Sequence, residues 1–497
     1  MAFNHLANDR PRILVVGGGY VGLTVASRIQ KDVKASGGVV TVVDPNPYMT
    51  YLPFLPEVAG GSIESRHAVV PLRQHLRDSE ILAAHVEKID HRNRTATLRG
   101  IDAGDTYELT YDQIVVAAGS VTRAFPIPGL ADAAIGMKSI EEAEHVRNWV
   151  LERIEVASLL KDEDARRRAL TFVVVGGGFA GIETIGEIED MARDAVERTS
   201  QLRSSDLRFV LVEAMGRIMP EVPEARAESV VAHLRARGIE VLLNTSLGEV
   251  EDGHTLKLVN MSDKSSAGVV EADTLIWTAG VQAAPFLKNS DLPLDERGRV
   301  RVGADLRVTG DDGPVEGAWA AGDNAAVPDL TGGGVGGFCV PNAQHASRQG
   351  VRLAKNLLAS RSGGQLEDYY HENLGAVAGL GAYKGVANIK GRSFEGPLAW
   401  LMHRLYHGYA IPTAERSARV GANWILSTVF GRDTTPIRHA RDPRLPFLAA
   451  TGNAPEAKKA RLSPGLGSAR CVLSREGTHR AGGSRRPGVG GPPPAPQ

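Results

Sequence analysis

The apolar positions of this chain fall into two recurring blocks. From Arg12 the run RILVV carries no alternating polar face and stops on Gly17-Gly18-Gly19; from Thr171 the run TFVVV does the same and stops on Gly176-Gly177-Gly178. Short, β-branched, unbroken runs predict strands buried on both faces of a parallel sheet. Beyond each glycine triplet the apolar residues return at helical spacing, in YVGLTVASRI and FAGIETIGEI, so each block predicts strand, tight turn and helix. Each is followed later by a closing strand with an Ala-Gly turn, IVVAAG ending at Ala118-Gly119 and LIWTAG ending at Gly280. This echo implies that the second unit is inserted into the first. The pattern from Ile140 to Leu160 predicts an amphipathic helix, and the charge run from Lys161 to Arg168 a solvated helix face or linker. A further helix is expected from Pro341 to Ser360, with Asn342 as its cap.

The glycines carry chemistry as well as geometry. In each block the first makes the tight turn (Gly17, Gly176), the second lets backbone approach a pyrophosphate (Gly19, Gly178), and the third lets helix and strand pack closely (Gly22, Gly181). The helix N-terminus then faces the phosphates with free N–H groups and partial positive charge. A lone fingerprint is weak, but each copy has its second half. TVVD ends at Asp44 and FVLVEA at Glu213, carboxylates suited to an adenosine ribose. The fold class expected is therefore α/β, with two Rossmann-like dinucleotide-binding domains. A third element, GAWAAGDNAAVP, would turn Asp323 towards the ribityl or pyrophosphate part of a flavin.

Composition narrows the class. The chain has 497 residues, 42% hydrophobic and 23% charged, with a formal net charge of -1, so no single-sign field favours nucleic acid. Two cysteines, Cys339 and Cys471, supply neither a disulfide framework nor a thiolate metal site, and Cys339 reads as a small packed residue. The segment MAFNHLANDRPR has no apolar core of a signal peptide, and no apolar run approaches the ~20 residues of a membrane span. A cytoplasmic location is the expectation. PLAWLMHRLYHGYAIP (Pro397 to Pro412) and VGANWILSTVF (Val420 to Phe430) have the aromatic and basic mix of interfacial helices, with Arg404 and its neighbours reaching to phosphates. The proline- and glycine-rich basic end is expected to be disordered.

Taken in order, these motifs resemble the two-dinucleotide-binding flavoproteins, and within them the type II NADH dehydrogenases, which are single-chain NADH:quinone oxidoreductases. The resemblance runs from about Arg12 to about Pro436. It is carried by YMTYLPFLPEVAGGSIESRHAVVPLR, by GGGFAGIETIGEI, by Ala343-Gln344-His345-Ala346 and by LGAVAGLGAYKGVANI. It implies FAD held by Gly17, Gly19, Gly22, Asp44 and Asp323, with Thr50, Leu52 and Pro53 beside the ring and the Ala118-Gly119 turn close by. It implies NADH held by Gly176, Gly178, Gly181, Glu213 and the Gly280 turn, with Glu183 near the nicotinamide. Gln344, beside Ala343, would meet the quinone, menaquinone or ubiquinone. Where the family often has a second glutamine this chain has Arg348, which either contacts the quinone or points outward.

The expected layout is an FAD domain at 10–135 and 284–373, an NADH domain at 136–283, a membrane-associating helical region at 374–445 and a tail at 446–497. The enzyme would sit peripherally on the cytoplasmic face of the membrane without pumping protons, and a homodimer is common in the superfamily. Glu213 would repel the 2'-phosphate of NADPH, so NADH is expected. The alternatives are a soluble NADH-dependent reductase of a ferredoxin-like or rubredoxin-like protein, and a non-catalytic FAD-binding sensor.

Overall fold

A computed structural model describes residues 10–437 apart from 102–103, 373–374 and 390–391, with three isolated positions beyond. Leu374, Cys471 and the basic tail lie outside the described residues. The strand Arg12–Val16 is buried at all five positions, and it lies inside an eight-stranded sheet. From edge to edge the strands are Arg307–Gly310, Gly313–Ala320, Gln113–Val116, Arg12–Val16, Val39–Asp44, Glu80–Asp90, Thr95–Gly100 and Thr106–Thr110. The central strands are parallel, with Val15 opposite Val42 on one side and Val115 on the other. A second sheet runs Ala134–Gly136, Thr274–Trp277, Thr171–Val175, Arg208–Val212 and Ile239–Leu242. The first sheet draws strands from both sides of the second, so one α/β unit is inserted in the other. The chain crosses between them through a ribbon in which Val281–Ala283 pairs antiparallel with Ser120–Thr122.

Seven helices position the site. α1 (Tyr20–Ala35) and α4 (Phe179–Glu197) leave the two glycine turns. α2 (Leu55–Ala59) follows the loop after Asp44, and α3 (Ile140–Leu159) starts on a capping box of Ser139 and Glu142. α5 (Ala343–Arg361) packs on α1, where a Cβ on Gly350 would come within 3.0 Å of the Thr24 Cβ. α6 (Gly396–Ala410) and α7 (Ala414–Phe430) follow in the C-terminal part. The charge run is a short helix, Glu163–Ala169, capped by the Asp162 carboxylate. The sequence did not announce the three-stranded antiparallel sheet before α6, Gly375–Gly379, Gly385–Ile389 and Arg392–Glu395, because its short glycine-rich strands show little alternation.

Candidate functional site

The two glycine turns are built alike, and what the glycines lack shapes them. Gly17 (φ +99°) and Gly176 (φ +118°) hold backbone that side chains rarely adopt. A Cβ on Gly22 would lie 1.8 Å from the Gly17 carbonyl oxygen, and one on Gly181 1.9 Å from that of Gly176. On Gly19 or Gly178 a Cβ would meet nothing within 4 Å. Open space therefore faces the start of both helices. Neither α1 nor α4 has a side-chain cap or an acid in its first turn. Uncapped N–H groups, the positive end of the dipole and a glycine surface together fit a pyrophosphate at each site.

Each acid closes back on the glycine turn of its own unit. Asp44 accepts the N–H groups of Gly18 and Asn46, both at 2.7 Å, and Glu213 those of Gly177 and of Met215, the latter at 2.7 Å. Two ionised oxygens offer more lone pairs than these bonds use, which leaves acceptors for ribose hydroxyls. Burial raises the Asp44 pKa, and the two backbone donors pull it part of the way back.

Around Asp323 the structure adds residues that the sequence reading missed. Asp323 accepts the Ser120 hydroxyl at 2.7 Å and lies 3.6 Å from the Lys138 ammonium. Its neighbour Asn324 is fully buried, donates to the Val116 carbonyl at 3.0 Å and accepts the Gly119 N–H at 2.9 Å. Gln349, also buried, accepts the Gly322 N–H at 2.8 Å. These side chains fasten the closing strand, the Asp323 turn and α5 around a small cavity that Cys339 also lines. Burial lifts the Cys339 thiol to about 11, so it is a packed group and not a thiolate. Asn342 caps α5 through the His345 N–H at 2.7 Å, as its sequence position predicts.

Gln344 and Arg348 do not line that cavity. The Arg348 guanidinium donates back to the Gln344 carbonyl at 3.3 Å, and its charge falls on His345, Tyr369 and His371. Thr50 ends the short strand Tyr48–Thr50, Pro53 lies in the 3-10 turn Leu52–Phe54, and the Leu52 N–H donates to the Tyr20 hydroxyl at 3.1 Å. Gly119 (φ +64°) and Gly280 (φ +88°) make the two closing turns.

The C-terminal helices meet the nucleotide units through buried charge. On α4, the Glu183 carboxylate accepts the Gly379 N–H at 3.0 Å and lies 3.3 Å from Nε2 of His403 on α6. One turn later Glu187 pairs with Arg432 at 2.5 Å, and Arg432 also donates to the Gly60 carbonyl at 2.8 Å. On α2, Glu57 accepts Arg404 at 3.1 Å and the Trp424 indole N–H at 2.7 Å. The Arg404 guanidinium lies over Trp400 at 4.2 Å and Trp424 at 5.2 Å. This corrects the expectation that Arg404 and the nearby histidines reach outward. They turn inward because Glu57, Glu183 and Glu187 are themselves buried, and a buried carboxylate without a cation is strongly unfavourable. What faces outward is apolar: Leu401, Leu405, Tyr409, Ile425, Val429 and Phe430 are all exposed. No helix among the described residues is long and apolar enough to cross a membrane, and no His, Cys, Asp or Glu cluster there could hold a metal.

The sequence pattern of the family described as pyridine nucleotide-disulphide oxidoreductase matches residues 10–350. The chain is 27% identical over 415 residues to a type II NADH:quinone oxidoreductase of Staphylococcus haemolyticus, an alignment covering 82% of this chain and 96% of that protein. It is 27% identical over 461 residues to the mitochondrial internal alternative NAD(P)H-ubiquinone oxidoreductase A1 of Arabidopsis thaliana, covering 86% of each. Its fold is similar to that of NDH2 from Plasmodium falciparum solved in complex with NADH, with a TM-score of 0.79 at 17% identity, over 86% of this chain and 100% of the other.

Proposed function

The chain belongs to the pyridine nucleotide-disulphide oxidoreductase family, and from that premise we propose that it is a type II NADH:quinone oxidoreductase, oxidising NADH and passing the electrons through FAD to a quinone without pumping protons. FAD, when bound, supplies the step between a two-electron hydride donor and a quinone. The protein's own residues position the reactants. Gly17, Gly19 and Gly22, with Asp44 and Asp323, hold FAD between 10–135 and 284–373. Thr50, Leu52, Pro53, Ala118 and Gly119 border it. Gly176, Gly178, Gly181, Glu213 and Gly280 hold NADH within 136–283, and the Glu213 carboxylate disfavours a 2'-phosphate. By family resemblance Glu183 is assigned to the nicotinamide and flavin edge, and Ala343, Gln344 and Arg348 to the quinone end.

One observation carries this reading. α4 begins at the open second glycine turn, and its buried acids Glu183 and Glu187 hold His403 and Arg432 of the C-terminal region. The nucleotide cradle and the apolar outer face of α6 and α7 are thus joined by one helix. Such a face supports peripheral docking of 374–445 on the cytoplasmic surface of a membrane. A steady-state assay with NADH tests the function, comparing a short-chain quinone with a ferredoxin-like protein as acceptor. Faster turnover with the quinone is expected; preference for the protein carrier would favour the soluble reductase. Flotation with lipid vesicles tests the docking, and protein that stays at the bottom of the gradient contradicts it.

A further inference from the structure

Lys138 reaches from one nucleotide unit into the other. It stands between the strand Ala134–Gly136 of the inserted unit and the Ser139 cap of α3. The Glu142 carboxylate fixes its backbone there, accepting the Lys138 N–H at 2.7 Å and the Ser139 N–H at 2.9 Å. From this frame the side chain, 26% exposed, places its ammonium 3.6 Å from Oδ2 of Asp323, outside hydrogen-bond range. Asp323 is its one charged partner among the described residues. The Ser120 hydroxyl also meets Asp323 at Oδ2, which leaves Oδ1 for a ribityl hydroxyl. Three residues beyond Lys138, the Glu141 carboxylate accepts the hydroxyl of Tyr48, at the start of the short strand that ends on Thr50. One segment of the NADH unit thus touches the flavin cradle on two sides, at Asp323 and at the loop expected beside the ring.

We propose that Lys138 is the cation that stabilises the anionic reduced flavin and thereby sets the flavin's reduction potential. The inference rests on the FAD assignment above and is independent of the electron acceptor. When NADH reduces the flavin, a C–H bond of the nicotinamide breaks and an N–H bond forms on the flavin as two electrons pass with the hydride. NADH leaves as NAD+, and the flavin gains one negative charge. That charge is carried on the pyrimidine edge, next to the nitrogen that bears the ribityl chain. The Asp323 carboxylate, held against that chain, would oppose it. The Lys138 ammonium offsets the carboxylate and attracts the new charge, an effect that grows as bound flavin excludes water from the cradle.

A second cation near Asp323 is already neutralised. Arg299 lines the same small cavity as Asp323, but its guanidinium holds the Asp295 carboxylate at 2.7 and 2.8 Å and lies over the Phe338 ring at 4.8 Å. Lys138 has only the charge contact with Asp323, and the capping box fixes the segment from which it extends. A mere strut between the two units would use the same contact, yet it would act alike on oxidised and reduced flavin. A charge acts on the difference between them.

The test uses the full-length chain, its fold followed by circular dichroism, titrated anaerobically with FAD in the oxidised and in the reduced form. In Lys138→Gln and Lys138→Met the ratio of the reduced to the oxidised dissociation constant is expected to rise by about tenfold, which lowers the two-electron midpoint potential of the bound flavin by ~30 mV. A redox titration of the flavin-loaded enzyme against a reference dye reads that shift independently. Lys138→Arg keeps the charge and should stay within about threefold of the wild-type ratio. Because the readout is a ratio, a general weakening of FAD binding does not imitate the effect. An unchanged ratio in both neutral variants would overturn the proposal, as would an arginine variant shifted as far as they are. A wild-type chain that binds no FAD would instead overturn the flavin assignment, and the role of Lys138 with it.

Discussion

Removing the Glu57 carboxylate should loosen the C-terminal helices by an amount the geometry sets. Its Oε2 holds both Arg404 and Trp424, while its Oε1 and the Arg404 Nε have no hydrogen-bond partner among the described residues. Both charges are buried, at 3% and 6% exposure. In Glu57→Leu the guanidinium remains buried with no carboxylate against it, a loss of about 3–5 kcal/mol. Glu187 also feels the Arg404 charge, so the lower end applies. At ~1.4 kcal/mol per factor of ten, about 3 kcal/mol raises the population of chains with α6 and α7 detached by roughly a hundredfold. In Glu57→Leu/Arg404→Leu no charge is left behind, and only the Trp424 N–H lacks an acceptor, a cost of about 1–2 kcal/mol. Limited proteolysis of this region reads the difference, under conditions where cleavage follows the open population. A Glu57→Leu enzyme cut less than about threefold faster than wild type, or a double variant cut as fast as the single one, would refute the argument.

Other consequences are as direct. Gly22→Ala places a Cβ 1.8 Å from the Gly17 carbonyl oxygen and should abolish bound flavin, read as flavin absorbance per chain; Gly181→Ala should keep the flavin but lose its bleaching by NADH. Glu213→Ala removes the repulsion of a 2'-phosphate, so the NADH-to-NADPH ratio of kcat/KM should fall by about tenfold or more, ~1.4 kcal/mol; an unchanged ratio would mean that Glu213 does not face the ribose. His371 is drawn down to about 4, first by burial and then by Arg348 and His345. Below about pH 6.5 the folded chain therefore binds fewer protons here than the unfolded one, and the stability involved is present above that pH and lost as it falls towards the folded value. His403 has the opposite sign: its contribution is present below about pH 6.5 and lost as pH rises through its raised value. His371→Gln should flatten the acid-side fall of the unfolding midpoint, measured by differential scanning fluorimetry, and an unaltered slope would contradict this.

The nucleotide units were legible in the sequence because every requirement is local. Strand, glycines, helix and terminal acid follow one another within one supersecondary unit, and the echo of IVVAAG in LIWTAG already implied the insertion. Asn324 and Gln349 were not legible, since their partners at Gly119, Val116 and Gly322 come from other parts of the chain. The orientation of α6 was misread for a related reason. Its composition mixes apolar, aromatic and basic residues, as an interfacial helix does, but which face turns inward is decided by Glu57 on α2 and Glu183 on α4, far away in sequence. A glutamate beside a glycine fingerprint has no sequence signal for its partner. A basic pair at helical spacing, such as His403 and His407, would have been the signal to follow.

Electrons are expected to enter from NADH and leave to a quinone through one bound flavin. Anaerobic stopped-flow spectroscopy tests it most directly, by mixing the purified flavoprotein with NADH and then with a short-chain quinone. Rapid bleaching of the flavin by NADH, much slower bleaching by NADPH, and full return of the oxidised spectrum on addition of quinone are expected. A flavin that NADH does not bleach, or that stays reduced in the presence of quinone, would contradict it.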